Sequence, residues 1–164
     1  MTERANDDVV IAVARELVTR TAPQELPLFR ATSAAYLDDP ERVLRAKAGK
    51  DEMLGFGVEG AVVLLTPVAL EIAKTVVSFL ATQIRGAVEK ETSDAIAERV
   101  HGLFHHSASA GETGGRESPP SQRLTEEQLT RVRDLALEKA RAFELPESQA
   151  GLLADAVVGS LAVS

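Results

Sequence analysis

The sequence predicts an all-α protein: a helical bundle with a long helix that changes from apolar to amphipathic, followed by a C-terminal αα-hairpin. Three observations support this fold class. Apolar residues recur at steps of three and four along most of the chain. One Asp-Pro pair and one Thr-Pro pair, which are typical of helix starts, precede two of these runs. No stretch alternates apolar and polar residues for long enough to indicate a sheet.

Three helices are predicted in the first 49 residues. The first covers residues 7–20, where valines and leucines share one face and Asp7 or Asp8 can serve as the N-cap. The second is the short segment 26–37, which begins where Pro23 and Pro27 interrupt the pattern of the first helix. The third starts at Asp39-Pro40, with a capping carboxylate before a proline at the first helical position, and stops at Gly49.

The most apolar part of the chain is the stretch 61–84. Thr66-Pro67 lies inside it and predicts a helix start, because the hydroxyl can cap free N–H groups and the proline needs no donor there. The helical period then continues to Phe104. As one unbroken helix this segment would be about 57 Å long. We therefore expect it either to bend or to meet another molecule.

The last third of the chain divides into a linker and a hairpin. Residues 105–123 are rich in Gly, Ser and Pro and predict a flexible linker. Residues 124–164 predict two helices, the first capped by Thr125 and the second beginning at Pro146. The predicted organisation is thus a bundle domain over residues 1–104, the linker, and a hairpin that either docks onto the bundle or binds a partner.

Composition argues against several classes of function. The formal charge of −7, from 18 basic and 25 acidic residues, should repel nucleic acid, so we expect no nucleic-acid partner. The absence of cysteine removes disulfides, zinc–thiolate sites and thiol nucleophiles. The acidic start of the chain lacks the basic patch and apolar run of a secretory signal. We expect a cytoplasmic protein, with a peripheral membrane location as the alternative.

Two charges decide whether the stretch 61–84 can cross a membrane. Its twelve Val, Leu, Ile and Phe residues favour insertion by about 5 kcal/mol in sum. Glu71 and Lys74, near the centre, each cost about 2.5–3.5 kcal/mol and cancel that gain, although they could partly pair with each other. A helix in a protein core or interface is therefore favoured, and conditional insertion or a stable span remain open alternatives.

Residues 55–60, GFGVEG, match the glycine pattern of dinucleotide-binding sites. That site requires a strand before the glycines and a helix N-terminus free of negative charge. The preceding segment AGKDEML makes no convincing strand, and Glu59 would lie close to the phosphates. Lys50 precedes the glycines, which also argues against a P-loop. We favour a flexible entry to the apolar helix and expect no cofactor.

His101 and His105 are the candidates for a metal site. Their i, i+4 spacing places both imidazoles on one helical face, with Glu98 one turn earlier. The motif lacks the glutamate next to the first histidine that a metallopeptidase uses. The favoured interpretation is a polar helix end, where histidines complement the C-terminal dipole. No metal ligand is therefore predicted, and metal-dependent activity at these histidines stays an open alternative.

No other pattern predicts catalysis. The chain has no G-x-S-x-G motif, and its paired acids, such as Asp7-Asp8, Asp38-Asp39 and Glu126-Glu127, fall at predicted helix starts. Carboxylates at those positions stabilise the helix dipole, which explains them better than acid–base chemistry. We therefore predict no catalytic residues and no enzymatic activity.

These observations favour a non-catalytic helical interaction protein, that is, a small adaptor, regulatory or assembly subunit. Burial of the apolar helix 58–84 should drive homo-oligomer formation or binding of a protein partner, because one monomer's few helices should not easily cover its apolar face. The alternative is a membrane-acting effector whose glycine-rich apolar segment 55–84 inserts into or permeabilises a bilayer. The expected contact residues are Val63, Leu65, Val68, Ile72, Val76, Phe79, Leu80 and Ile84.

Overall fold

A computed structural model describes residues 2–48, 65–87, 92–105 and 124–162. This part of the chain is all-α and contains no strand, as the sequence predicts. Its helices are α1 (Thr2–Thr21), α2 (Leu26–Asp38), α3 (Pro40–Ala48), α4 (Thr66–Ala87), α5 (Ser93–His105), α6 (Glu126–Ala142) and α7 (Glu147–Ala162), with a 3₁₀ turn (Pro23–Glu25) between α1 and α2.

Helix α4 lies at the centre of the bundle. It packs against α1, α2, α3, α5 and α6, and α7 closes the bundle against α1 and α6. Most of the first four turns of α4 is buried, from Thr66 to Leu80 with few gaps. One hydrophobic core includes residues from α1, α2, α4, α5, α6 and α7. The apolar stretch that stands out in the sequence is thus the core helix of the described bundle.

The helical period from Pro67 to Phe104 is divided between two helices and does not form one unbroken helix. Helix α4 ends at Ala87, and α5 starts at Ser93 after the non-helical Thr92. The Thr92 hydroxyl accepts a hydrogen bond from the Ala95 N–H at 3.4 Å, and its carbonyl accepts one from the Ile96 N–H at 3.1 Å. This local cap starts a second helix. Helix α5 then packs on α1, α4 and α7 instead of extending away from the bundle.

The N-terminal elements differ from prediction in one respect. Helix α1 starts at Thr2, so Asp7 and Asp8 lie inside the helix and do not cap it. The predicted start of α3 is confirmed, since the Asp39 carboxylate accepts a hydrogen bond from the Arg42 N–H at 3.0 Å. Helices α2 and α3 occupy the predicted segments.

The C-terminal αα-hairpin has the predicted local structure. Thr125 and Gln128 form a reciprocal capping box, with distances of 3.2 Å from Gln128 N to Thr125 Oγ1 and 2.9 Å from Thr125 N to Gln128 Oε1. The turn into α7 passes through Glu144, whose φ of 56° is left-handed. The hairpin packs against α1 and α4. That the hairpin is a separate domain stays a prediction. The predicted linker, beyond His105, lies outside the described residues.

Candidate functional site

The predicted contact residues of α4 are mostly part of the core. Leu65 is 7% exposed, and four others are less exposed still: Val68, Ile72, Val76 and Leu80. Phe79 and Ile84 are half-buried, and Val63 lies outside the described residues. The neighbouring helices thus cover most of this face. We had expected that the helices of one monomer would not easily cover it. The buried residues could contact a partner only if α4 were uncovered.

The N-terminus of α4 is anchored by a carboxylate from a distant turn. Glu25, only 4% exposed, accepts hydrogen bonds from the N–H groups of Leu65 and Thr66, both at 2.8 Å, and from the Thr66 hydroxyl at 2.7 Å. A negative charge at this position satisfies free N–H groups and complements the helix dipole. The predicted helix start at Thr66 is confirmed, but its hydroxyl donates to Glu25, and Glu25 caps the helix.

A second polar contact joins α4 to α2 and α6. The buried Tyr36 hydroxyl donates a hydrogen bond to Glu71 Oε1 at 2.5 Å, and Lys139 Nζ lies 3.9 Å from Glu71 Oε2. Burial raises the pKa of Tyr36 above its usual range, and the hydrogen bond and charge of Glu71 and the charge of Asp7 raise this pKa further. Lys74, which the sequence offered as a partner for Glu71, is exposed instead.

A surface cleft lies beside this polar contact. It has a volume of about 350 Å³ and is lined by residues of four helices: Asn6, Asp7 and Val10 of α1, Tyr36 and Leu37 of α2, Pro40 of α3, and Lys74, Val77 and Ser78 of α4. We call it the Leu37 cleft, because Leu37 is 40% exposed there. Its wall combines aliphatic side chains with one acid and one base, a composition that suits side-chain binding.

Four further acids of the described chain lie in contacts between helices or in the first turn of a helix. Arg133 Nε lies 3.0 Å from Asp155 Oδ1, and Arg141 pairs with Glu147, so two ion pairs join the helices of the hairpin. Glu126 and Glu127 lie in the first turn of α6, as predicted. Asp155 and Glu147 thus join the two helices of the hairpin, and Glu126 and Glu127 lie where they complement the helix dipole.

The remaining candidates are only partly within the described residues. His101 is exposed on α5, and His105 ends that helix. Within the described parts of the chain, no three His, Asp or Glu side chains converge on a site for a metal ion. The glycine motif 55–60, with Glu59, and Lys50 lie outside the described residues. The structure therefore does not test the nucleotide interpretation of residues 55–60.

The sequence did not point to Glu25, Tyr36 or Leu37. Glu25 lies between Pro23 and Pro27, where the helical pattern is interrupted, and Leu37 appears as an ordinary helical residue near the end of α2. Their roles depend on partners that lie far away in the chain, so no local signal could have identified them.

The chain matches no protein-family model, no curated protein and no solved structure.

Proposed function

We propose that this protein is a non-catalytic helical interaction protein, that is, a small adaptor, regulatory or assembly subunit. One observation carries the proposal: three acids are bonded to other groups of the bundle, while a cleft between four helices stays open at the surface. Glu25 caps α4, Asp39 caps α3, and Glu71 contacts Tyr36 and Lys139, so these acids stabilise the bundle. A cleft of mixed polar and apolar lining remains open at the surface beside Tyr36.

The Leu37 cleft offers a contact surface that needs no unfolding. Helix α4 contributes to it through the exposed Lys74 and Ser78, and the buried Val77 lies in its wall. A partner that covers Leu37 removes apolar area from water, which favours association. The proposed role of α4 in binding thus shifts from its core face to the side that lines the cleft.

The experiment compares two exposed leucines. Leu37 is 40% exposed in the cleft, and Leu152 is 59% exposed on α7. Association is measured as self-association in light scattering or as capture of a cross-linked partner. We expect Leu37→Asp to abolish this association and Leu152→Asp to preserve it. Association that survives Leu37→Asp, or that both substitutions abolish equally, would contradict binding at the cleft.

A membrane-acting effector is the second candidate, and helix α4 favours it. Within the described residues α4 is the one helix long and apolar enough to cross a bilayer, with 22 residues, and 56% of its most apolar window is buried in the bundle. Its length of about 33 Å matches a hydrocarbon core of about 30 Å. Core helices of soluble proteins share these properties, so the interaction function remains our first proposal.

Liposome flotation separates the two candidates. An effector should float with liposomes of neutral or anionic lipid, whereas an interaction protein should stay in the aqueous fraction. A substitution inside α4, such as Leu65→Asp, is a poor probe because Leu65 is buried and its replacement should also destabilise the bundle. A variant outside α4 that weakens its anchoring is a better probe.

A further inference from the structure

We propose that the outer face of α2 pairs with the same face of a second copy of this chain, with the two helices antiparallel and crossing at Ala34. Five exposed residues define the outer face of α2: Pro27, Leu28, Ala31, Ala34 and Ala35. None of them lines the Leu37 cleft. The inference therefore goes beyond the proposed binding at that cleft, because it assigns a separate surface and names the partner.

Helix α2 is apolar on its outer side as well as its inner side. The inner side is buried around Phe29 and Tyr36. Six of the eight exposed residues of α2 are apolar, namely the outer face and Leu37, and only Arg30 and Asp38 are charged. By contrast, the described exposed residues of α1 and α3 are all polar or charged. A helix with apolar residues on both sides is typical of a buried element, so we expect a partner to cover the outer face of α2.

The side chains of this face suit a second helix. Ala31, Ala34 and Ala35 lie at spacings of three and four, so they share one side of α2. Their small size lets another helix approach to about 8 Å between axes, the short end of the usual range. Leu28, which is 56% exposed, adds a larger apolar side chain at the N-terminal end of the face. Covering it removes apolar area from water.

The two charges of α2 select a second copy in the antiparallel direction. Arg30 lies four residues before Ala34 and Asp38 four residues after it, and both are exposed. The ion pairs described within the chain use other acids and bases. In an antiparallel pair that crosses at Ala34, each Arg30 lies level with Asp38 of the second copy, about 6 Å along the axis from the crossing point. A parallel pair would place like charges side by side.

This arrangement is self-complementary, as a two-fold dimer requires, since the same two ion pairs form on both sides of the crossing point. Helix α2 has 13 residues and is therefore about 20 Å long. A pair of helices this short buries less than the roughly 1,600 Å² of a standard interface. We therefore expect a weak dimer, with a dissociation constant between about 10 μM and 1 mM.

Sedimentation of the full-length protein measures the dimer directly. Between about 10 μM and 1 mM the mass should rise from that of one chain toward that of two. Ala34→Glu should raise the dissociation constant at least about tenfold, because two carboxylates would meet at the crossing point. Leu152→Glu, at the exposed leucine of α7, is the matched control and should leave the dissociation constant unchanged.

A charge swap separates the proposed pairing from general damage to the helix. Arg30→Asp alone or Asp38→Arg alone should raise the dissociation constant about two- to thirtyfold, the range for the loss of two exposed ion pairs. The double variant with both substitutions should restore it, because the two pairs form again with reversed charges. Far-ultraviolet circular dichroism of each variant would confirm that the bundle is folded.

A single cysteine tests where the helices cross. The chain contains no cysteine, so Ala34→Cys introduces the only thiol. Disulfide formation requires Cα atoms about 4.4–6.8 Å apart, which the two copies of residue 34 satisfy only at the crossing point. Under air with a copper catalyst, Ala34→Cys should form a linked dimer faster than Leu152→Cys does.

Three outcomes would overturn the inference. The chain could stay monomeric at about 1 mM, the double charge swap could stay as weak as the single variants, or Leu152→Cys could link as fast as Ala34→Cys. If the chain stays monomeric and Ala34→Glu abolishes capture of a different protein, that protein covers the outer face of α2.

The same variants separate this inference from the proposed function. A dimer that Leu37→Asp abolishes and Ala34→Glu leaves intact would place the second copy at the Leu37 cleft, so the proposed function would stand and this inference would fall. A dimer with the opposite response would support pairing through α2 and contradict binding at the cleft.

Discussion

Glu25 binds Thr66 through two hydrogen bonds, although the two residues are 41 positions apart in the sequence. Glu25 Oε2 accepts the Thr66 backbone N–H at 2.8 Å and the Thr66 hydroxyl at 2.7 Å, while Oε1 accepts the N–H of Leu65. The turn after α1 therefore caps the central helix. Because the carboxylate is buried, it should contribute more to stability than an exposed cap does.

The substitution Glu25→Gln should lower the free energy of unfolding by about 1–3 kcal/mol, because the amide loses the charge and one acceptor. Urea unfolding followed by circular dichroism measures this change. Glu16→Gln is the matched control, since Glu16 is half exposed and pairs with Arg20 on the same helix. The control should change stability by less than about 0.5 kcal/mol. Equal stability of both variants would rule out a capping role for Glu25.

The same Glu25→Gln variant tests the membrane alternative. It weakens the anchoring of α4 without changing the hydropathy of that helix, so an effector should float with liposomes more than the wild type does. Val13→Ala, a truncation in the core of α1, should destabilise the bundle by about 1–3 kcal/mol without touching this cap. If the interaction function holds, neither variant floats. Flotation of both to the same extent would indicate general unfolding and not release of α4.

Tyr36 should titrate abnormally. It is the only tyrosine in the chain, so phenolate absorbance reports on it alone. Its pKa is raised in the folded state, first by burial and then by Glu71 and Asp7, whereas the unfolded value is about 10. The folded state therefore binds more protons than the unfolded state above pH about 10. The contribution of protonated Tyr36 to the free energy of unfolding is therefore complete below pH about 10 and declines as the pH rises.

We expect phenolate absorbance to appear together with loss of helical circular dichroism in an alkaline titration. Glu71→Gln should lower the pKa of Tyr36, because it removes a neighbouring negative charge. Ionisation of Tyr36 near pH 10 in a chain that keeps its full helical signal would contradict the described contact between the two residues.

Val76→Asp should unfold the bundle. Val76 is fully buried on α4, and a buried carboxylate without a partner costs on the order of 4 kcal/mol or more. Gln83→Asp, at an exposed position on the same helix, should be nearly neutral. Circular dichroism and urea unfolding measure both variants. A folded Val76→Asp variant with wild-type stability would mean that α4 does not occupy the core. The loss of an oligomer in this variant would therefore not by itself identify an interface.

Much of the fold follows from local patterns. The apolar period predicts helices in every described segment, Asp39-Pro40 and Thr66-Pro67 mark true helix starts, and Thr125 caps α6 as expected. Each of these signals acts within about one helical turn, so a single sequence contains it. The sequence did not show where the segment from Pro67 to Phe104 breaks, because its apolar period continues across the break. Thr92, which starts α5, is a local cap that the period concealed.

The candidate site could be predicted only in part. The sequence identifies α4 as the central apolar element, and the described structure agrees. It assigns Leu65, Val68 and Val76 to a contact surface, whereas the structure buries them. The apolar period shows that one face of a helix is buried away from water. It does not show whether the same chain or a partner covers that face.

By itself the sequence determined an all-α chain, several helix starts and an apolar central helix, because helix propensity, capping and periodicity are local properties. Only the tertiary structure decided that Glu25 caps α4, that Tyr36 donates to Glu71, and that four helices converge on the Leu37 cleft. Those relationships join residues tens of positions apart. They arise when packing brings distant side chains within hydrogen-bond or van der Waals distance.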